Sequence, residues 1–142
     1  LIINDRLDIC LAVDAAGVHL GQADLPCSEA RRILGAEKII GVSAATPEEA
    51  AKAQSDGADY LGVGAVFATS TKTNTRPVTA ETIRAIRSAV DIPFVVIGGV
   101  NSENISGLYG MGINGAAVIS AIISQPDITA AARKMRQAAE RL

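Results

Sequence analysis

The sequence predicts an α/β protein in which helices cover a parallel β-sheet. Short apolar runs rich in Val and Ile alternate with longer stretches that carry helix-capping residues. The runs do not alternate polar with apolar side chains, which is typical of strands buried in a parallel sheet. The predicted strands are residues 1–3, 17–20, 38–42, 60–63, 94–97 and 116–119.

The stretches between these strands carry the start and stop signals of helices. Thr46 is a capping residue, Pro47 suits a first helical turn, and the acids Glu48 and Glu49 suit the positive end of a helix. A glycine, Gly57, follows the end of the same helix. The predicted helices are residues 5–15, 29–34, 47–55, 79–89, 101–109 and 127–142.

Regular alternation of strand and helix leaves two architectures open, an open doubly wound sheet and a (β/α)8 barrel. At about 24 residues per unit, eight units need roughly 190 residues, near the lower limit for such barrels. The chain has 142 residues and supplies six units. No linker or change of composition divides it, so residues 1–142 are predicted to be one domain, which is incomplete if the architecture is a barrel.

Composition excludes several classes of protein. Hydrophobic residues make up 49% and charged residues 20%, which suits a soluble globular protein, and we expect a cytoplasmic one. The net charge of −2 argues against a nucleic-acid-binding protein. No apolar run is long enough to cross a membrane. The two cysteines, Cys10 and Cys27, are interpreted as reduced, buried thiols rather than as a disulfide framework.

Polar residues or glycines follow all six predicted strands. Ligands of α/β proteins bind at the carboxyl ends of the strands, so this convergence predicts a binding site there. The residues concerned are Asn4 and Asp5, then Gly21, Gln22 and Asp24, then Ser43, the loop from Phe67 to Lys72, Gly98 and Gly99, and Ser120.

Two of these groups suggest specific ligands. Asp5 and Asp24 follow neighbouring strands and suit Mg²⁺, although each is also placed to cap a helix. Gly98-Gly99, placed before a predicted helix, and Ser120 favour a phosphate site built from backbone N–H groups and a hydroxyl.

The loop that reaches Pro77 is longer than a connector requires, and its hydroxyls with Lys72 and Arg76 suit a phosphate clamp. The single histidine, His19, lies inside a predicted strand and is interpreted as structural rather than catalytic.

Six segments, in order along the whole chain, resemble the thiamine phosphate synthase family. They are Ile2-Ile-Asn-Asp-Arg6, Gly17-Val-His-Leu-Gly-Gln-Ala-Asp24, Ile40-Gly-Val-Ser43, Gly57-Ala-Asp-Tyr-Leu-Gly-Val-Gly64, Phe67-Ala-Thr-Ser-Thr-Lys72 and Ile97-Gly-Gly99. The closing Ala117-Val-Ile-Ser-Ala-Ile122 fits as well. The resemblance implies a TIM-type (β/α)8 barrel that joins hydroxymethylpyrimidine diphosphate to hydroxyethylthiazole phosphate. The implied products are thiamine phosphate and pyrophosphate.

The resemblance also implies roles for individual residues. Asp5 and Asp24 would hold Mg²⁺, and Asp5, Asp24 and Lys72 would form the catalytic set. The pyrimidine diphosphate or the leaving pyrophosphate would contact Asn4, Ser43 and Lys72. The thiazole phosphate would contact Thr69, Thr71, Gly99, Ile119 and Ser120. The partners implied are these small molecules, with neither nucleic acid nor membrane.

Three features depart from the family pattern. Ala65 and Ala68 stand where many relatives have proline, and Ala45 stands where many have histidine. The chain also begins at what would be strand three, so the resemblance covers the last two thirds of a full enzyme. Six strands cannot close an eight-stranded barrel. We therefore expect open edges that favour self-association, and little activity from this chain alone.

Two alternatives remain at this point. A thiazole tautomerase-like isomerase on the same barrel would keep the phosphate-binding end but would not need the two aspartates or the loop ending at Lys72. A non-catalytic phosphate-binding fragment is the other alternative.

Overall fold

Six parallel strands follow one another in sequence order across one sheet. The computed structural model describes residues 1–68 and 77–142. Each strand pairs in parallel with the next one along the chain. The strands are β1 (Ile2–Asn4), β2 (Gly17–Leu20), β3 (Ile39–Ala44), β4 (Tyr60–Gly64), β5 (Phe94–Ile97) and β6 (Gly115–Ala117). A doubly wound sheet reverses its strand order, and this sheet does not, so the barrel type of architecture is the correct alternative.

Six α-helices lie in the connections and after the last strand of the described chain. They are α1 (Leu7–Ala12), α2 (Cys27–Leu34), α3 (Pro47–Ser55), α4 (Ala80–Ala89), α5 (Ser120–Ile123) and α6 (Ile128–Ala139). Capping side chains fix three of their starts: Thr46, Thr79 and Asp127 each accept a hydrogen bond from a backbone N–H of the first turn. No helix of residues 1–68 or 77–142 combines the length and the apolar character needed to span a bilayer.

The helix predicted for residues 101–109 is wrong. Two asparagines take the backbone groups that a helix would use: Asn101 Oδ1 accepts from the N–H groups of Glu103 and Asn104, and Asn104 Oδ1 accepts from the N–H of Asn101. Only a short 3₁₀ turn, Ile105–Leu108, follows. The short helix α5 was not predicted.

The two faces of the sheet differ in what covers them. Alternate strand residues face the helices and form the apolar core, including Val18, Leu20, Ile40, Val42, Leu61, Val63, Phe94 and Val96. The other residues form a second face, here called the open face, which includes Asn4, His19, Ile39, Gly41, Ser43, Tyr60, Gly62, Val95 and Ile97. Ile39 and Ile97 are 40% and 39% exposed there, so burial on both faces is only partial.

Glycines on the open face make room for large side chains of the neighbouring strand. A Cβ atom at Gly41 would lie 2.2 Å from Cζ of Tyr60, and one at Gly62 would lie 2.9 Å from Cε1 of His19. In the register of the sheet, Gly41 is the partner of both His19 and Tyr60. The two rings therefore approach each other across β3, with their centroids 5.5 Å apart.

One arginine organises the amino-terminal ends of β3 and β4. Arg31, on α2, donates to the carbonyl oxygens of Gly35 at 2.8 Å, Lys38 at 2.7 Å and Gly57 at 3.0 and 2.8 Å. Its guanidinium also pairs with Asp59 at 2.6 Å. The same carboxylate oxygen of Asp59 accepts from the N–H of Ile40 at 2.7 Å, which links α2 to both strands.

The described sheet has β1 and β6 at its edges. Large apolar side chains are exposed near both: Leu1, Ile9, Leu11 and Val13 on one side, and Ile119, Ile123 and Ile128 on the other. Such surface suits association. Self-association through these edges remains a prediction.

Replacing Arg31 is expected to destabilise the fold. Arg31→Ala removes the guanidinium donor from three carbonyl groups and from Asp59, which we expect to lower the free energy of unfolding by about 2–3 kcal/mol. The matched control is Arg32→Ala on the same helix, whose exposed side chain pairs only with Glu29 in the described residues; we expect a change within about 0.5 kcal/mol. Urea unfolding of the full-length natural protein measures both, and equal losses would contradict the role given to Arg31.

Replacing Gly41 is expected to disturb the open face. Gly41→Ala puts a methyl group into the Tyr60 ring, and overpacking of this kind costs about 1–3 kcal/mol. Gly107→Ala is the control, because a Cβ atom there has no neighbour within 4 Å, and its expected change is neutral or stabilising. Thermal unfolding distinguishes the two, and an unchanged midpoint in the Gly41 variant would contradict the packing described.

Candidate active site

Several of the predicted site residues lie at the carboxyl ends of the parallel strands. Asn4 is the last residue of β1 and Asp5 follows it, while Ser43 lies near the end of β3. Gly99 follows β5, and Ser120 is the first residue of α5 after β6. The sheet thus brings residues that are up to 116 positions apart in the chain to the same end of the strands.

Asp5 and Asp24 occupy turns after the paired strands β1 and β2. The N–H of Asp5 donates to the carbonyl of His19 at 2.8 Å, and Asp5 is exposed with a φ of 64°. An aspartate tolerates this left-handed conformation better than most residues do. Asp24 is half-buried, and its Oδ2 accepts from the N–H of Gly21 at 2.6 Å.

Neither aspartate caps a helix. The residues before α1 and α2 are Arg6 and Pro26, and neither helix start has a side-chain cap. The capping alternative is therefore wrong for both carboxylates. In Asp24 one oxygen is used by the turn, and in Asp5 the carboxylate is exposed.

The oxygen ligands available at the carboxyl ends of β1 and β2 are of the type that binds Mg²⁺. The ion is usually held by one or two carboxylates together with water and substrate phosphate oxygens. Asp5 and Asp24, beside neighbouring strands, are carboxylates of the kind that such a site uses. Among residues 1–68 and 77–142 no three His, Cys, Asp or Glu side chains form a group suited to a metal, so a cage made by protein ligands alone is not found there.

A histidine, a serine and a tyrosine meet on the open face. Nδ1 of His19 lies 3.0 Å from the hydroxyl of Tyr60, and Nε2 lies 3.0 Å from Oγ of Ser43. The three residues come from β2, β4 and β3. Burial raises the pKa of the Tyr60 phenol. Neither His19 nor Tyr60 was assigned to the site from the sequence. The available signal was that β2 and β4, which flank β3, place them on the same face of the sheet.

Gln22 also reaches the neighbouring strand. Its Nε2 donates to the carbonyl oxygen of Ser43 at 2.6 Å. Ser43 is therefore held through its backbone by the turn after β2, and through its hydroxyl by His19.

Gly98 and Gly99 adopt conformations that favour glycine, with φ values of 94° and 67°. Glycine is required at these two positions for a second reason, because the chain after β4 crosses directly over them. A Cβ atom at Gly99 would lie 2.5 Å from the carbonyl oxygen of Ala68, and the carbonyl of Gly98 accepts from the N–H of Phe67 at 3.0 Å. The Gly-Gly pair leads into the asparagine-rich turn and not into a helix.

Three predicted site residues, Thr69, Thr71 and Lys72, lie outside the described residues, as does Arg76. The described residues on both sides of this segment meet at the end of β4, where the N–H of Val78 donates to the carbonyl of Ala65 at 2.8 Å. Ile119 and Ser120 are both exposed at the start of α5.

Comparison with known proteins identifies the family. The model of the family described as thiamine monophosphate synthase matches residues 1–122. The chain belongs to this family. This confirms the resemblance inferred from the six segments.

Individual relatives agree with that assignment. The chain is 55% identical to the thiamine-phosphate synthase of Moorella thermoacetica over 99% of this chain and 67% of that protein. It is 57% identical to the thiamine-phosphate synthase of Ruminiclostridium cellulolyticum over 95% of this chain and 64% of that protein. The chain thus spans about two thirds of the length of these family members.

Solved structures show the same architecture. Thiamine phosphate pyrophosphorylase from Pyrococcus furiosus superposes with a TM-score of 0.89 at 42% identity, over 98% of this chain and 66% of that one. A 3-hexulose-6-phosphate synthase superposes with a TM-score of 0.70 at 22% identity, which shows the fold alone. Family membership and the barrel type of fold are therefore established together.

Proposed function

We propose that the protein containing this chain is a thiamine phosphate synthase, a transferase of thiamine biosynthesis. It would join 4-amino-2-methyl-5-hydroxymethylpyrimidine diphosphate to 4-methyl-5-(2-phosphoethyl)thiazole and release pyrophosphate. The main support is identity above 50% to thiamine-phosphate synthases over nearly the whole chain. The proposal is also supported by the position of four residues at the ends of the first three strands: Asn4, Asp5, Asp24 and Ser43.

The proposal extends to the architecture and the location. We assign β1 to β6 to strands three to eight of an eight-stranded barrel. That assignment puts Gly99 and Ser120 after strands seven and eight, where barrels often bind phosphate. The protein would act on small molecules in the cytoplasm.

The reaction needs charge stabilisation and positioning more than a protein nucleophile. The bond between the pyrimidine methylene carbon and the diphosphate oxygen breaks, and the electron pair leaves with pyrophosphate. The thiazole nitrogen then forms the new bond to that carbon. Interactions that strengthen as the leaving group gains charge therefore accelerate the reaction.

The residues of this chain would divide this work. Asp5 and Asp24 would hold Mg²⁺, which neutralises charge on the diphosphate when bound. Asn4 and Ser43 would bind and orient the pyrimidine diphosphate, with Lys72 beside the leaving group. Gly99, Ile119 and Ser120, with Thr69 and Thr71, would hold the thiazole phosphate so that its nitrogen faces the reacting carbon.

The direct test is an assay of the full-length natural protein with both substrates and Mg²⁺. We expect thiamine phosphate and pyrophosphate in equal amounts, and loss of both when the metal is chelated. Isomerisation of a thiazole phosphate without a metal requirement would favour the tautomerase alternative. Binding of the thiazole phosphate without turnover would favour the non-catalytic alternative, and either result would overturn the proposal.

The carboxylates are expected to be essential for metal-dependent turnover. Asp5→Asn keeps a residue that tolerates the left-handed backbone, and Asp24→Asn keeps an acceptor for the Gly21 N–H. Each removes a charged oxygen ligand, so we expect kcat/KM to fall by about 10²-fold or more. Steady-state kinetics at several Mg²⁺ concentrations measures this.

Asp8→Asn is the matched control for the carboxylates. Asp8 is exposed on α1 and pairs with Arg6, which lowers the pKa of its carboxyl to about 2. Its removal is expected to leave kcat/KM within twofold or so, because the residue lies outside the strand-end site. Wild-type metal dependence in both the Asp5 and Asp24 variants would refute the assignment of the metal ligands.

Ser120 is expected to contribute to thiazole phosphate binding. Ser120→Ala removes one hydroxyl donor, so we expect KM for the thiazole phosphate to rise by about 3- to 10-fold. KM for the pyrimidine diphosphate is expected to stay unchanged. Ser124→Ala at the other end of α5 is the control, and equal effects of the two substitutions would contradict the assignment.

A further inference from the structure

In the cluster of Tyr60, His19 and Ser43, hydrogen-bond chemistry determines which group donates and which accepts in each contact. A neutral imidazole has one nitrogen that donates and one that accepts. Two arrangements therefore satisfy the contacts of 3.0 Å on either side of the ring. In the first, the tyrosine donates to Nδ1 and Nε2–H donates to the serine; in the second, both directions are reversed.

The nature of the two hydroxyl groups favours the first arrangement. A phenol is more acidic than an aliphatic alcohol, so it is the better hydrogen-bond donor and the poorer acceptor. Tyr60 therefore donates to Nδ1 of His19, which leaves the proton on Nε2. Nε2–H then donates to Oγ of Ser43, and the hydroxyl proton of the serine is left to point away from the ring.

We propose that Tyr60 and His19 are positioning residues that orient the Ser43 hydroxyl as a hydrogen-bond donor to the pyrimidine diphosphate. This inference rests on the proposed function. Ser43 is the residue that touches the substrate, while His19 and Tyr60 act through it. Without the phenolic hydroxyl, the imidazole can adopt the other tautomer, and the serine then turns its proton onto Nε2 and away from the substrate.

The packing of the open face supports this role. Gly41 and Gly62 leave the space in which the two rings lie, so the rings are fixed by the neighbouring strands. Gln22 holds the carbonyl of Ser43 at 2.6 Å and limits movement of that residue. A hydroxyl whose backbone and hydrogen-bond donor are both fixed keeps one orientation before the substrate arrives.

The tautomer can be measured directly. His19 is the single histidine among these 142 residues, and His19→Gln identifies its signals in ¹⁵N–¹H correlation spectra of the full-length protein. At mildly alkaline pH we expect the Nε2–H tautomer in wild type and an increase of the Nδ1–H tautomer in Tyr60→Phe. A wild-type spectrum with the proton on Nδ1 would overturn the proposal.

Kinetics tests the link to the substrate. Tyr60→Phe keeps the ring over Gly41 and removes only the hydroxyl. We expect kcat/KM for the pyrimidine diphosphate to fall by about 3- to 10-fold, the value of one neutral hydrogen bond, with KM for the thiazole phosphate unchanged. In a Ser43→Ala background the same substitution is expected to have no further effect, because the oriented group is gone.

Two replacements of the histidine separate orientation from packing. His19→Gln places its amide near the position of Nε2 and can still donate to Ser43, so we expect it to retain most activity. His19→Asn places its amide near Nδ1 and loses that bond, so we expect the loss seen in Ser43→Ala. Thermal unfolding of each variant identifies any general loss of structure.

The outcomes distinguish this inference from the proposed function. A wild-type protein that makes no thiamine phosphate refutes the function, and with it the ligand assigned to Ser43. If the wild-type protein is active but Tyr60→Phe lowers kcat/KM equally with and without the Ser43 hydroxyl, the inference alone is refuted. Glutamine and asparagine at position 19 having equal effects would also refute it.

Discussion

Close approach between neighbouring strands on the open face is the constraint on which the rest of the structure depends. Gly41 leaves the space filled by Tyr60, and Gly62 leaves the space beside His19. A larger residue at either position would push strands apart or force a ring from its place. The same packing sets the polar groups of the open face within hydrogen-bond distance of one another.

The polar groups at the two ends of the sheet are used differently, and in barrel proteins generally it is the carboxyl end that carries the active site. At the amino-terminal end, side chains satisfy backbone groups: Arg31 serves three carbonyls, and Gln54 accepts from the N–H groups of Asp91 and Ile92. Asn114 accepts there from Phe94 in the same way. At the carboxyl end, Asn4, Asp5 and Ser120 are exposed to solvent instead. Polar groups that the fold does not consume are the ones available to ligands.

Most of the fold could be predicted because its signals are local. Val- and Ile-rich runs locate all six strands to within a few residues, and Thr46 caps a helix where expected. The turn after Gly99 could not be predicted, because Asn101 and Asn104 compete with a helix through bonds that depend on side-chain rotamers. The contacts of His19 could not be predicted for another reason: its partners lie 24 and 41 residues away, and only the register of three strands brings them together.

The hydrogen bond between Val78 and Ala65 has a consequence for how this protein can change. It joins the two flanks of residues 69–76 at one point beside β4, so the segment is inserted between fixed anchors. The entropy of closing such a loop varies only slowly with its length. Substitutions or insertions between these two anchors are therefore expected to leave the register of the sheet intact, so the length and composition of this part of the chain can change without a new fold.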